Sequence, residues 1–343
     1  MTSLTLDTGL RGIGNASAPA ASSTPIPADN ATVAGNVADL FRAGRSGEAV
    51  VALDAARQGQ PQAVQDALDR MVSTRLQGSL DPSPSLGLQS MYASPAEIGS
   101  TIRRINEAGS HPPSMPDTAN LSDQQKYDVY SSIVETRGTQ ASHDALEAGD
   151  RVILGLRNET NTLANKGQGV YDDRLVVLAR DTDGTVHVQE FNRTSTEPTA
   201  QYDGNQSANP DVTFRRSEGD DITGDGVPEL GRLAQGTTEL IETTHANPRS
   251  AGTSFSLRPS AAAVADGAGR VERDANHDGL FNADDVNGVV DLNNTFKIHS
   301  GSRTNTDSAG CTTLHPDDFG SFRSAVKADA SQTRWQYVLT TTQ

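Results

Sequence analysis

The chain has 343 residues, with 28 basic and 44 acidic side chains and a net charge of −16. That excess argues against a nucleic-acid binder or a basic membrane-surface protein, because both need a positive face to meet phosphate. Hydrophobic residues make up 34% and aromatic residues 4%, so part of the chain is expected to lie outside any core, and no apolar run is long enough to span a membrane.

Residues 1–32 read as a disordered leader. Segment 13–32 carries almost no large apolar side chain to anchor it. The N-terminus lacks the basic start and apolar stretch of a cleaved general secretory signal. The leader reads as a solvated tail or linker, or as an uncleaved Ser-rich leader of the kind that bacterial type III substrates carry; the expected localisation is secretion without a cleaved signal, and otherwise the cytoplasm. Residues 33–148 read as a helical accessory region. Val37, Leu40 and Phe41 start a helical stripe that breaks at Gly44 and Gly47. Pro61 stands where a first helical turn would begin, and Val64, Leu68, Met71, Val72 and Leu76 follow on one face. Ser94, Pro95 and Glu97 form a capping box with proline in the first turn, and Ser122 with Gln125 suggests another cap. Pro-rich joins at 81–85 and 111–116 separate the helices. No catalytic constellation falls here, so a docking role with a protein partner is the natural expectation for this region.

Near residue 150 the period changes, and 149–343 reads as a β-rich domain. Segments 151–157, 174–180 and 185–191 alternate as strands, and Asp181 to Gly184 is a turn signal that makes the last two a hairpin. Segments 295–299 and 335–340 are further strands. Phe319, Phe322 and Val326 share a helical face after Pro316. The fold class is α+β, and a fragment starting near 148 is expected to fold alone.

The only cysteine is Cys311, which excludes an internal disulfide framework and a zinc ribbon. It ends the run Ser308-Ala309-Gly310-Cys311. A thiol needs a base or a positive neighbour to act as a nucleophile. His299 is the nearest preceding histidine, delivered by a strand into a polar, glycine-containing loop. Gly310 lets backbone pass close to a reacting carbonyl, and nearby amides can bind an oxyanion. Cys311, His299 and Gly310 are the candidate catalytic residues. The other histidines have no comparable context, and nothing in the sequence places His245 near the thiol.

The segments Ile298-His299-Ser300-Gly301 and Ser308-Ala309-Gly310-Cys311 resemble the active-site boxes of L,D-transpeptidases, which pair a strand-borne His with a nucleophilic Cys in an S-x-G-C box. Upstream, 151–157, Tyr171 to Arg174 and Phe191 to Pro198 are similar to a divergent branch of that fold. The resemblance covers roughly 150–343. It implies an L,D-transpeptidase-like catalytic domain, a peptidoglycan stem peptide as substrate, and water or an amine as acceptor. The chain departs from the pattern at Ala309, where the family often has His. It departs again at Thr312 and Thr313, where the family has an apolar residue and a substrate-seating Arg.

A second motif runs from 274 to 285. Asp274, Asn276 and Asp278 fall at loop positions one, three and five, Gly279 at the sharp turn, and Leu280 offers its carbonyl at seven. Asn282 and Asp285 fall at nine and twelve. This spacing gathers the oxygens that calcium requires. The loop resembles those of dockerins and EF-hands, with Asp in place of Glu at twelve, and Val286, Val289, Val290 and Leu292 would belong to an exiting helix. A weaker echo holds Asp221, Thr223, Asp225 and Glu229, with Arg232 at twelve; it reads equally as a partial calcium loop or as a turn.

The preferred expectation is a cysteine-dependent acyl-transfer enzyme with structural Ca2+. The rival is a secreted calcium-binding bacterial effector or interaction protein whose site is inactive or repurposed.

Overall fold

The computed structural model describes residues 29–82, 91–207, 209–246 and 253–343. Most of the predicted leader lies outside the described residues, as does the join after Pro82. Helix begins earlier than its pattern suggested. The Asp29 carboxylate accepts the Thr32 backbone N–H at 2.7 Å and caps α1 (Asn30–Arg42), so residues 29–32 belong to the helical region. Gly44, at φ +73°, turns the chain into α2 (Ser46–Arg57). Then follow α3 (Gln62–Leu76), α4 (Pro95–Ser110), α5 (Asp123–Arg137) and α6 (Gln140–Ala148). Both expected capping boxes are present, at Ser94 with Glu97 and at Ser122 with Gln125. Replacing Ser94 with alanine should cost about 1 kcal/mol, measured by urea unfolding. Val37, Leu53, Leu68, Val72, Ile98 and Ile105 form the core shared by α1 to α4.

The sheet-rich part starts with β1 (Val152–Arg157), the short turn α7 (Ala164–Gly167), β2 (Asp173–Arg180) and β3 (Val186–Ser195). It continues with β4 (Gly231–Leu233), β5 (Gly236–Ala246), β6 (Thr253–Pro259), α8 (Ala261–Ala265), β7 (Val271–Arg273) and β8 (Val289–Val290). Last come β9 (Ile298–Ser300), β10 (Thr312–Leu314), α9 (Pro316–Val326) and β11 (Arg334–Thr341). The protein is therefore α+β, with helices leading and sheet following. Eight strands close a barrel in the order β1-β11-β5-β6-β9-β10-β3-β2, and β4, β7 and β8 form a separate small sheet. The predicted hairpin is β2–β3. Closure comes from the first and last barrel strands, β1 and β11, pairing in parallel.

The barrel has two apolar faces. Ile153, Leu175, Val177, Ile298, Leu314 and Tyr337 face inward, where Phe319, Phe322 and Val326 of α9 join them. Val152, Leu154, Leu156, Val176, Leu178 and Val338 face outward onto α3, α5 and α6. Every residue of β1 is buried, because helices cover the side that a one-sided sheet would leave wet. The change of period near 150 is thus a change of secondary structure over a shared core. A fragment beginning near 149 would uncover that outward row. Such a fragment is expected to bind a hydrophobic dye and self-associate at concentrations where the full chain is monodisperse, as read by fluorescence and light scattering.

Candidate active site and acidic loops

Parallel pairing of β9 with β10 sets Thr312 opposite Ile298 and Thr313 opposite His299. Ile298 and Leu314 point into the barrel, and Thr312 joins them, its hydroxyl 3.3 Å from the Tyr337 hydroxyl. By the two-residue period of a strand, His299 and Thr313 share the opposite face, and Cys311 immediately precedes β10. The strand that carries His299 thus runs beside the one that Cys311 precedes.

Ser308 shapes the approach to the thiol. Its hydroxyl donates to the Cys311 carbonyl at 2.7 Å and accepts the Gly310 N–H at 3.0 Å. Its own carbonyl accepts the Thr199 N–H at 2.7 Å. Gly310 has φ +142°, and a Cβ there would collide with the Gly231 carbonyl. Only glycine meets both conditions. The loop before it is pinned from outside. The Tyr171 hydroxyl donates to the Ser302 and Asn305 carbonyls at 2.8 and 3.1 Å, and Gln201 and Asn305 exchange side-chain hydrogen bonds.

His299 is 4% exposed. Its Nδ1 lies 2.9 Å from the Ser300 carbonyl. A carbonyl only accepts, so Nδ1 carries the proton and, in the neutral ring, Nε2 carries the lone pair. The ring stacks on His245 of β5, with centroids 4.0 Å apart and planes 8° from parallel. Burial, then the His245 imidazole beside it, lowers the His299 pKa to about 4, against smaller raising effects from the Ser300 carbonyl and Asp307. His245 is lowered too, first by burial and then by Lys297. The half-buried Cys311 accepts the Lys297 backbone N–H at 3.4 Å and donates to the Thr295 carbonyl at 3.5 Å. Burial pushes its thiol up to about 11. At neutral pH the resting pair is a thiol and a neutral imidazole, and among the described residues no hydrogen bond joins them.

The sequence offered no signal for His245, which falls in an alternating stretch among threonines and glutamates. Nor did it show that the Ser300 carbonyl would fix the imidazole tautomer. Thr313, where the resembled family has a substrate-seating Arg, is fully buried beside His299.

The 274–285 loop connects β7 to β8. The Asp274 carboxylate, fully buried, accepts the Asp278 and Gly279 N–H groups at 3.1 and 2.9 Å. Asn276 accepts from Asp278, Asp278 from Leu280, and Asn282 from Asp284. Asp285 accepts from Ala275 and Asn282 at 2.7 and 2.8 Å, which ties the loop's end to its start. Gly279 has φ +82°, and a Cβ there would strike the Asn161 side chain. Leu280 is partly exposed, and its carbonyl is the expected seventh-position ligand. Burial, with Asp203, Asp285 and Asp278 adding repulsion, raises the Asp274 carboxyl to about 7. The loop is rich in oxygens, but its carboxylates are engaged by its own backbone N–H groups and do not converge as a triad within 4.8 Å.

The expected exiting helix is absent. Asn287, at φ +60°, and Gly288 turn the chain instead into β8, which pairs with β7, and Val286 and Val289 are exposed. The loop therefore closes a small β-sheet rather than opening a helix.

The weaker echo is the tighter cluster. Among the described residues, the carboxylates that come within 4.8 Å of one another as a triad are Asp221, Asp225 and Glu229. The first two are exposed and Glu229 is buried. This cluster can hold a metal ion. Arg232, at the twelfth position, is no ligand: it binds Glu197 at 2.6 Å and Glu272 at 2.7 Å. The two acidic loops adjoin, since β4 pairs with β7 and the Asp274 N–H bonds the Leu230 carbonyl at 3.1 Å. Among the described residues, no helix is long and apolar enough to cross a membrane.

Comparison with protein-family models, with curated proteins and with solved structures gives no match.

Proposed function

We propose that the chain is a cysteine-dependent acyl-transfer enzyme or peptidase with an L,D-transpeptidase-like site, acting on peptidoglycan-type peptides. The observation that supports this reading most is the β9/β10 register. It runs the strand that carries His299 beside the one that Cys311 precedes, with Nδ1 of His299 bound to the Ser300 carbonyl and Nε2 left as a base. In the proposed reaction the Cys311 sulfur attacks a peptide carbonyl carbon while His299 Nε2 takes the thiol proton. The proton then passes to the departing amine as the peptide C–N bond breaks, leaving a thioester on Cys311. Water or an acceptor amine attacks that thioester and releases the thiol. Deprotonation occurs within the step, because the resting pair is neutral. His299 would act as a general base toward the substrate-bound thiol.

Calcium at 274–285 would be structural. Asp274, Asn276, Asp278, Leu280, Asn282 and Asp285 would hold it, and the ion would neutralise the gathered carboxylates. The triad Asp221, Asp225 and Glu229 is a second candidate for the same ion.

The test is incubation of the full chain with cell-wall stem peptides, with and without an acceptor amine, followed by mass spectrometry. Products cut or exchanged at a peptide bond are expected, with an acyl-enzyme mass on Cys311. The raised thiol pKa favours a second reading, a secreted calcium-binding effector or interaction protein with a repurposed site. Absence of product and of acyl-enzyme across a panel of stem peptides would select it.

A further inference from the structure

A cavity lies among the helices, independent of the cysteine site. It is about 410 Å³ in volume, between α3, α4 and the Pro-rich segment 111–114. Arg70 of α3 lines it and is 6% exposed. Only its Nε is engaged, donating to the Ser132 hydroxyl at 3.0 Å. Among the described residues, the two Nη groups have no hydrogen-bond or ion-pair partner. Desolvation lowers this guanidinium to about 10, with Asp66 and Asp69 opposing and Arg137 reinforcing the shift.

The neighbouring charges explain why no internal carboxylate reaches it. Asp69 is already held by Arg57 and by Arg104, the latter at 2.9 Å. Asp66 accepts from the Gln62 side chain at 2.7 Å. Arg137 adds a second guanidinium nearby, and its Nε and Nη2 are buried without a partner. Arg57 and Arg104 thus take up Asp69, and Arg70 keeps its Nη groups beside it. Asp66 and Asp69 act on Arg70 through space without pairing with it, and a planar fork of free N–H groups matches an oxyanion in two-pronged geometry.

We propose that this cavity binds a small oxyanion, a carboxylate or a phosphate, through the Nη groups of Arg70. Asp66, Asp69 and Glu107 on the lining restrict it to compact anions whose charge sits at the Arg70 end.

The experiment titrates the full chain, in calcium-free buffer, with sodium phosphate and separately with sodium acetate. Sodium chloride at equal ionic strength is the reference, and calorimetry and thermal unfolding are the readouts. Saturable binding of one anion over chloride is expected, and the anion that saturates identifies the source. Arg70→Met should weaken that binding by about tenfold to a hundredfold. Arg70→Lys, which keeps the charge but loses the fork, should fall between. Wild-type titrations in which neither anion exceeds chloride would overturn the proposal whether or not a variant folds. So would a folded Arg70→Met protein that binds as wild type does.

Discussion

Replacing Cys311 with alanine should abolish acyl transfer, by a factor of about 10³ or more, because no other side chain in the site can form the thioester. The fold should survive: the thiol is half-buried and makes two long contacts. Full retained turnover on stem peptides would remove the enzyme reading. The pH dependence carries more mechanistic information. With His299 at about 4 and the thiol at about 11, the working form of the free enzyme is the neutral pair. Below pH about 4 the imidazole holds a proton and cannot serve as base, so kcat/KM should fall there and stay flat through neutrality. The same shift acts on stability. Between about pH 6.5 and 4 the unfolded chain binds a proton that folded His299 refuses, so this group's contribution is present above 6.5 and lost as pH falls. His245→Ala removes a neighbouring imidazole and opens the ring to water. Both effects raise the His299 pKa, so the acid limb of the profile should move to higher pH while Cys311→Ala remains dead. Iodoacetamide should label Cys311 slowly at pH 7 and faster as pH climbs toward 11. Rapid labelling at pH 6 would mean that a thiolate is already formed, and that the pair is ionic.

How much of this was legible follows from how local each signal is. Capping boxes, the Asp181–Gly184 turn and the α9 stripe are set by residues within a few positions of one another, and all were readable. Strands β5 and β6 were not. The run from Gly236 to Ala246 alternates threonine and glutamate with few apolar residues, since its outer face is wet. Barrel closure rests on β1 meeting β11 across most of the chain, and no local pattern encodes that pairing. In the site, Cys311, His299 and Gly310 stood out through their shared short segment. His245 approaches only because β5, β6 and β9 are neighbours in the sheet. The expected helix after Asp285 failed for a similar reason: valine spacing allowed it, but pairing with β7 and the turn at Asn287 and Gly288 gave a strand. The division at 148/149 located the change of period and said nothing of the outward row on β1, β2 and β11 that α5 covers.

Calcium should raise the unfolding temperature, and chelation should lower it. At free calcium a hundred times the dissociation constant, mass action adds about 2.7 kcal/mol to the native state, a shift of roughly 5 °C or more for a unit of this size. Magnesium should substitute poorly, since it demands a tight octahedron and releases water reluctantly. Two pairs of variants locate the ion. Asp274→Ala with Asp278→Ala should erase the calcium response. It should also destabilise the protein in chelator, because the Gly279 and Leu280 N–H groups lose their acceptors and the Asp278 N–H loses one of two. Asp221→Ala with Asp225→Ala removes two of the three converging carboxylates. If the ion sits at 274–285, this pair should leave the calcium shift intact. If it erases the shift while the first pair keeps it, the 221–229 cluster holds the ion and the longer loop is a self-bonded turn. Because the Asp274 N–H bonds the Leu230 carbonyl, partial loss in both pairs would mean that the adjoining loops bind as one unit. Identical unfolding curves in calcium, magnesium and chelator would end the calcium reading for both. The 274–285 loop leads through β8 to β9, so a loosened loop should weaken the strand that carries His299. Chelation should then lower kcat for any Cys311-dependent turnover along with stability, and restored calcium should recover both.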